Sequence, residues 1–132
     1  MSTTPWPNFT RAELVCRCGC GRMEMDEAFM YWIQDLRVSL GFPFPISSAY
    51  RCPNHNRRVS TTGTDGPHTT GLAIDIAVSG SQAHALLKAA MQSGYFTGIG
   101  LKQSGPPSGR FIHLDMLDSR VHSRPRPWIW TY

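Results

Sequence analysis

No stretch of this sequence approaches eighteen consecutive apolar residues, so none of it is read as a membrane-spanning helix. The opening "MSTTPWPNFT" lacks a positive segment followed by an apolar one, which excludes an ordinary secretory signal. The chain is therefore expected to be made in the cytoplasm and to need some other release if it acts outside. Charged residues are sparse at 17%, and the net charge of +4 is not gathered into one helix-long stripe. Its densest basic clusters run from Arg51 to Arg58 and from Arg120 to Arg126. Charge alone therefore gives a nucleic-acid partner little support, and it suits an anionic bacterial wall equally well. There is no internal repeat, low-complexity segment or interdomain linker, and 132 residues are expected to form one domain, 1–132, acting as a monomer.

Cysteine is scarce and unusually placed. Three of the four, Cys16, Cys18 and Cys20, stand in "CRCGC", and the fourth is Cys52. Without a secretory signal the expected state is reduced thiols, or at most one disulfide. A zinc site made by all four is the alternative. It is disfavoured because structural zinc usually uses a C-x2-C pair, which C-x-C-x-C does not supply.

Hydrophobic spacing divides the chain into short elements. "TRAEL" offers a capping box, with Thr10 and Glu13 three residues apart. Phe29, Trp32, Ile33, Leu36 and Leu40 recur at helical spacing within 26–40, and Gly41 stands at the expected stop. A second amphipathic helix is expected over 81–93, with Ala83, Leu86, Leu87, Ala90 and Met91 on its inner face and His84 in solvent. Strands are expected at 46–50, 72–78, 96–101 and 110–116, and a short helix at 53–59. The tail "RPRPWIWTY" is read as irregular chain lying across the body. Short strands broken by Gly and Pro and mixed with helices favour an α+β domain with a small, mainly antiparallel sheet.

One carboxylate is out of place. Asp75 sits within Leu72-Ala73-Ile74-Asp75-Ile76-Ala77-Val78, which otherwise reads as a buried strand. A lone buried charge is costly unless it is compensated. Strand alternation puts Asp75 on one face with Ala73 and Ala77, small neighbours that leave room around it. His68 lies seven residues earlier, and His113 and Asp115 share a face of a later strand. Two imidazoles and a carboxylate make a three-ligand zinc set with a fourth position open for water. The alternative is that Asp75 pairs with an arginine and the histidines are surface groups.

"SAYR" (48–51), then "HTTGLAID" (68–75) and then "FIHLD" (111–115) resemble, in this order, the zinc D-Ala-D-Ala carboxypeptidase and murein endopeptidase family. That family includes vancomycin-resistance D,D-dipeptidases and phage endolysins and shares its fold with the Hedgehog signalling domain. The resemblance covers roughly 9–132 and is closest to the small phage and bacterial members. It implies Zn2+ held by His68, Asp75 and His113. It also implies a catalytic Arg51 that binds a substrate carboxylate or the developing oxyanion, and Ser48 as a polar substrate contact. Tyr50 reads as packing. The implied activity is hydrolysis of peptide bonds in peptidoglycan stem peptides by a phage lysis or virion-borne enzyme; neither a nucleic-acid partner nor membrane insertion is expected.

One departure stands out. Many members carry Glu or Asp three residues before the last histidine as general base, and here that position is Arg110. Asp115 is the nearest substitute base. Its other possible role is to accept a hydrogen bond from a ligand imidazole. Asp65 is a third candidate base that reads better as a turn residue, and His55 and His122 read as spare, exposed histidines, with His122 placed where the tail could carry it to a site. Arg110 also keeps open a non-catalytic, zinc-containing binding module. The loops at 60–67 and 102–109 are expected to wall the substrate cleft.

Overall fold

The computed structural model describes residues 4–132. The first two helices begin as their sequences require. Helix α1 (Arg11–Leu14) carries the complete capping box, Thr10 and Glu13 each satisfying the other's backbone N–H. Helix α2 (Glu27–Leu40) starts at Asp26, whose side chain accepts from the Phe29 N–H, and ends at Gly41 in the left-handed region. Its inner face puts Phe29, Met30, Ile33 and Leu36 into the core.

The remaining elements are β1 (Ile46–Ser48), α3 (Pro53–Val59), β2 (Ala73–Ile76), α4 (Gly80–Ser93), β3 (Gly98–Lys102), β4 (Phe111–Asp115), α5 (Ser119–His122) and β5 (Trp128–Thr131). The polar segment between α3 and β2 contains two short 3-10 turns, Gly63–Asp65 and Pro67–Thr69. Together these make an α+β fold around one five-stranded sheet of order β1-β2-β4-β3-β5. All pairings are antiparallel except β3 with β5.

Two expectations need correction. The tail is not irregular: Trp128–Thr131 forms the edge strand β5, parallel to β3. Its bulky residues made it read as a covering segment, yet Trp, Ile and Thr are strong strand formers once an open edge is available. Met91 does not join the inner face of α4. Ala83, Leu86 and Ala90 are buried, whereas Met91 is 61% exposed. Methionine at that position lies at the margin of the stripe, where it borders a second cavity with Phe96, Ile99 and Ile129 instead of packing into the core.

The two sheet faces differ in chemistry. Ile74, Ile76, Ile99, Ile112 and Leu114 face the core with α2 and α4. The opposite face carries two rows that cross the sheet. Ser48, Asp75, His113, Gly100 and Trp130 are successive partners across all five strands. The neighbouring row is Ala73, Asp115, Gly98 and Trp128. The motif "GIG" therefore places Ile99 in the core and both glycines on the functional face.

Each of these glycines makes room for something. A Cβ on Gly100 would lie 2.6 Å from the Trp130 indole. A Cβ on Gly98 would overlap the Asp115 carboxylate. Gly98→Ala is therefore expected to push Asp115 out of position and to cost about 1–3 kcal/mol, the usual range for overpacking. Chemical denaturation of the variant checks this, and a midpoint equal to that of the wild type would refute it.

Candidate metal centre

Antiparallel register brings the first pair together. Asp75 on β2 stands directly opposite His113 on β4, and Asp75 Oδ1 lies 2.9 Å from His113 Nδ1. His68 arrives from the turn Pro67–Thr69, which precedes β2, with its Nε2 3.3 Å from the same oxygen. The ligand atoms of His68, Asp75 and His113 all lie within 4.8 Å of one another, and all three side chains are buried. Asp75 thus faces two imidazoles, and no arginine bonds to it among the described residues.

Hydrogen bonds on the far side of each ring set the tautomers. His68 Nδ1–H donates to the Ala49 carbonyl at 2.7 Å, leaving Nε2 free toward Asp75. His113 lies between two carboxylates, its Nε2 2.7 Å from Asp115 Oδ2 and its Nδ1 2.9 Å from Asp75 Oδ1; the tautomer that donates Nε2–H to Asp115 is the one that turns an unprotonated Nδ1 toward Asp75. Two unprotonated imidazole nitrogens and one carboxylate oxygen converge on a single point, and each imidazole is oriented by an oxygen behind it, as metal-ligating histidines generally are. The donor set fits zinc.

The electrostatics agree with this arrangement. Burial opposes ionisation of Asp75, but the charges and hydrogen bonds of His68 and His113 outweigh it and hold the carboxyl well below its ordinary range. Burial likewise opposes protonation of His113, and hydrogen bonds to Asp115 and Asp75 reverse the effect and raise its pKa, so that a proton on Nδ1 competes with a metal ion for this position. So much concentrated negative charge around one imidazole is what a cation site requires.

Asp115 lies on the other edge of His113. Its carboxylate receives His113 Nε2–H and both the Nε and Nη2 of Arg126, at 2.9 and 2.8 Å, in a bidentate pair. Asp115 is fully buried and the Arg126 side chain is only 6% exposed. Desolvation opposes its ionisation, yet His113 and Arg126 draw its pKa down to about 2. Asp115 therefore sits behind the imidazole, away from the convergence point.

Arg51 follows β1 and is held by three contacts. Its N–H donates to the His68 carbonyl (3.0 Å), its Nε to Ser48 Oγ (3.1 Å) and its Nη1 to the Asn56 Oδ1 (3.1 Å). Asn56, fully buried, is itself fastened to Thr62 and Gly63. Ser48 thus positions the arginine, while Nη2 has no partner among the described residues. Tyr50 is buried against Cys16 and Cys52.

The other residues considered from sequence lie elsewhere. Arg110 Nε donates to the Gly105 carbonyl and ties down the 103–109 turn. His122 Nδ1 accepts the Asp118 N–H. Asp65 lies in the turn Gly63–Asp65, where its carbonyl accepts from Arg124, and His84 is exposed. His55 and His122 are both half-buried rather than exposed.

A cleft of about 490 Å³ opens over the three converging residues. One wall is the 60–67 segment, as expected. The other is not the 102–109 loop but the tail, through Arg124, Arg126, Trp128, Trp130 and Tyr132. Sequence reasoning missed Arg126, Trp130 and Asn56. Trp130 packs its ring 5.0 Å from the His113 ring, and Arg126 lies 5.3 Å over that indole. The available signal was Asp115 itself, since a second carboxylate on a buried strand implied a cation from elsewhere in the chain.

A buried His-Asp-His set opening on a cleft with an anchored arginine is a candidate metal centre, of the kind that metallohydrolases use. The model of the family described as Peptidase M15 matches residues 7–115, and the chain belongs to that family of zinc metallopeptidases. Among curated proteins none matches the chain.

Proposed function

We propose that this protein hydrolyses peptide bonds in bacterial peptidoglycan, with His68, Asp75 and His113 holding the zinc ion. The observation that carries the reading is the convergence of those three side chains beneath a cleft walled by Arg51 and Arg124 on the one hand and aromatic rings on the other. Stem peptides offer carboxylates for the guanidinium groups and small apolar side chains for the rings. When bound, zinc supplies Lewis acidity that polarises the scissile carbonyl and lowers the pKa of water. Arg51, fixed by Ser48 and Asn56, presents Nη2 to the substrate carboxylate or to the oxyanion as it forms. Asp115 holds His113 in its working tautomer and acts as a positioning residue. We place the protein among phage lysis or virion-borne enzymes, reaching the wall after release. Its presence in the medium of an intact, non-lysing culture would overturn that placement.

The test is digestion of purified peptidoglycan by the zinc-loaded protein, with mass spectrometry of the fragments. New peptide termini identify the bond that is cut, and unchanged peptidoglycan would overturn the reading. Arg51→Lys is expected to retain zinc and to lose roughly 10²–10³-fold in kcat/KM, the scale of losing one oxyanion donor. Lysine cannot reproduce the fork held by Ser48 and Asn56. Full activity in that variant would remove Arg51 from the mechanism.

One observation favours a second reading, a zinc-containing domain that binds the wall without cutting it. Among the described residues, Asp75 is the only side-chain carboxylate lining the cleft, and Arg110 occupies the place where relatives carry a base. Wall binding without new peptide termini in the digestion experiment would select it.

A further inference from the structure

The second concentration of metal-ligating side chains lies outside the cleft, in the segment least covered by regular structure. After α1 the chain turns through residues 15–22, closed by the Cys16 N–H donating to the Arg22 carbonyl at 2.8 Å. Gly19 and Gly21, with φ of 87° and 79°, take left-handed conformations that other residues rarely adopt. These turns curl "CRCGC" so that Cys16, Cys18 and Cys20 face Cys52, which directly precedes α3. The four sulfur atoms all lie within 4.8 Å of one another. Cys16 Sγ and Cys18 Sγ are 3.5 Å apart, and Cys18 Sγ and Cys52 Sγ 3.7 Å.

These spacings suit a metal. Tetrahedral zinc with Zn–S bonds of about 2.3 Å has sulfur–sulfur edges of about 3.8 Å. A disulfide would use two of the sulfurs and leave the other two without a role, and all four cysteines are free. The Cys52 N–H donates to Cys16 Sγ at 3.3 Å, a contact that favours thiolate. Arg11 and Arg17 lie in the same region and supply positive charge, Arg11 donating to the Gly21 carbonyl and Arg17 to the Glu13 and Ile46 carbonyls, while Arg22 is paired with Glu24. Apolar cover is thin: among the described residues only Tyr50 and Met25 pack with Cys16 and Cys52. A loop with so little core needs a staple to hold one conformation.

We propose that Cys16, Cys18, Cys20 and Cys52 bind a second, structural zinc ion, distinct from the His-Asp-His centre. Binding exchanges thiol protons for the metal and releases them to solvent, leaving a closed four-sulfur site with no position for substrate. The site has a defined mechanical role. Cys52 adjoins Arg51, and Ala49, three residues before Cys52, accepts the His68 Nδ1–H. Residues 49–52 therefore connect the sulfur site to both the substrate arginine and a ligand of the cleft, and anchoring Cys52 holds both.

The experiment uses the full chain purified under reducing conditions, combining zinc quantification with native mass spectrometry and thiol alkylation. The expected wild type carries two zinc ions and four thiols that resist alkylation in the native protein and react once it is denatured with a chelator present. Asp75→Ala is expected to keep one zinc with the thiols still protected. The same variant loaded with cobalt should show a thiolate-to-cobalt charge-transfer band and tetrahedral d–d absorption. Cys18→Ser/Cys20→Ser should lose that band and one zinc. A single zinc with protected thiols supports the sulfur site while counting against the cleft site. A single zinc with four freely reactive thiols, or a mass deficit showing a disulfide, would overturn the proposal.

Discussion

Asp75→Ala is expected to lose the zinc of the cleft and, with it, peptidase activity down to background. Among the described residues the side chain is the only carboxylate at the convergence point, sharing one oxygen between His68 and His113. Removing it leaves two neutral imidazoles whose ring centroids are 5.1 Å apart, and two donors hold zinc far less well than three. Folding should suffer less than activity. Alanine fits a face already lined by Ala73 and Ala77, and loss of a buried carboxylate also removes its desolvation cost. Isothermal titration with zinc, circular dichroism and the peptidoglycan digest separate these effects. Retained zinc affinity together with retained activity would show that the metal sits elsewhere.

The second large effect is expected at Asp115, and it distinguishes a positioning role from a general base. Asp115→Ala leaves the buried Arg126 guanidinium without its carboxylate, and breaking such a pair from one side costs about 3–5 kcal/mol. Asp115→Asn is gentler. It still offers His113 an acceptor, yet it loses the charge that orients the ring, so zinc affinity should fall about 10–100-fold, as when an outer partner of a metal-bound histidine is changed. A general base would behave differently: its loss would leave zinc affinity and stability intact and depress kcat alone. The acid limb of the stability curve gives a third readout. Asp115 titrates near 2 when folded, below its ordinary value of 3.8. Its stabilising contribution is therefore complete above the ordinary value and lost as pH falls from there toward 2. Asp115→Asn should flatten that limb, and an unchanged acid profile would refute the charge-pair assignment.

Much of this architecture was legible in the order of residues because it depends on neighbours in the chain. The capping box at Thr10 and Glu13, the stripe from Phe29 to Leu36 and the Gly41 stop are local patterns, and the helices they mark appear where the patterns do. The same holds for Asp75, since alternation on a strand placed it opposite Ile74 and Ile76 and beside two alanines before any partner was known. Local signals also erred where the outcome depended on distant chain. The tail read as irregular because nothing within it announces that β3 leaves an open edge for Trp128–Thr131 to pair with. Met91 read as core because helical periodicity does not record where the packing of α4 on the sheet opens into a cavity.

The Arg126–Asp115 pair, the Trp130 wall and the meeting of Cys52 with "CRCGC" have no signature in spacing either. Each joins segments from different parts of the chain, and only the packed sheet sets their distances. What the sequence by itself determined, then, was the helices, the buried strands and the identity of the residues carrying charge where charge is costly. The tertiary structure alone decided which of those residues meet, because cross-strand register brings Asp75 to His113 and a parallel edge strand carries Trp130 to Gly100. Periodicity is a property of a few consecutive residues, whereas a site is a property of closed loops, and the free energy that closes them comes from the whole core.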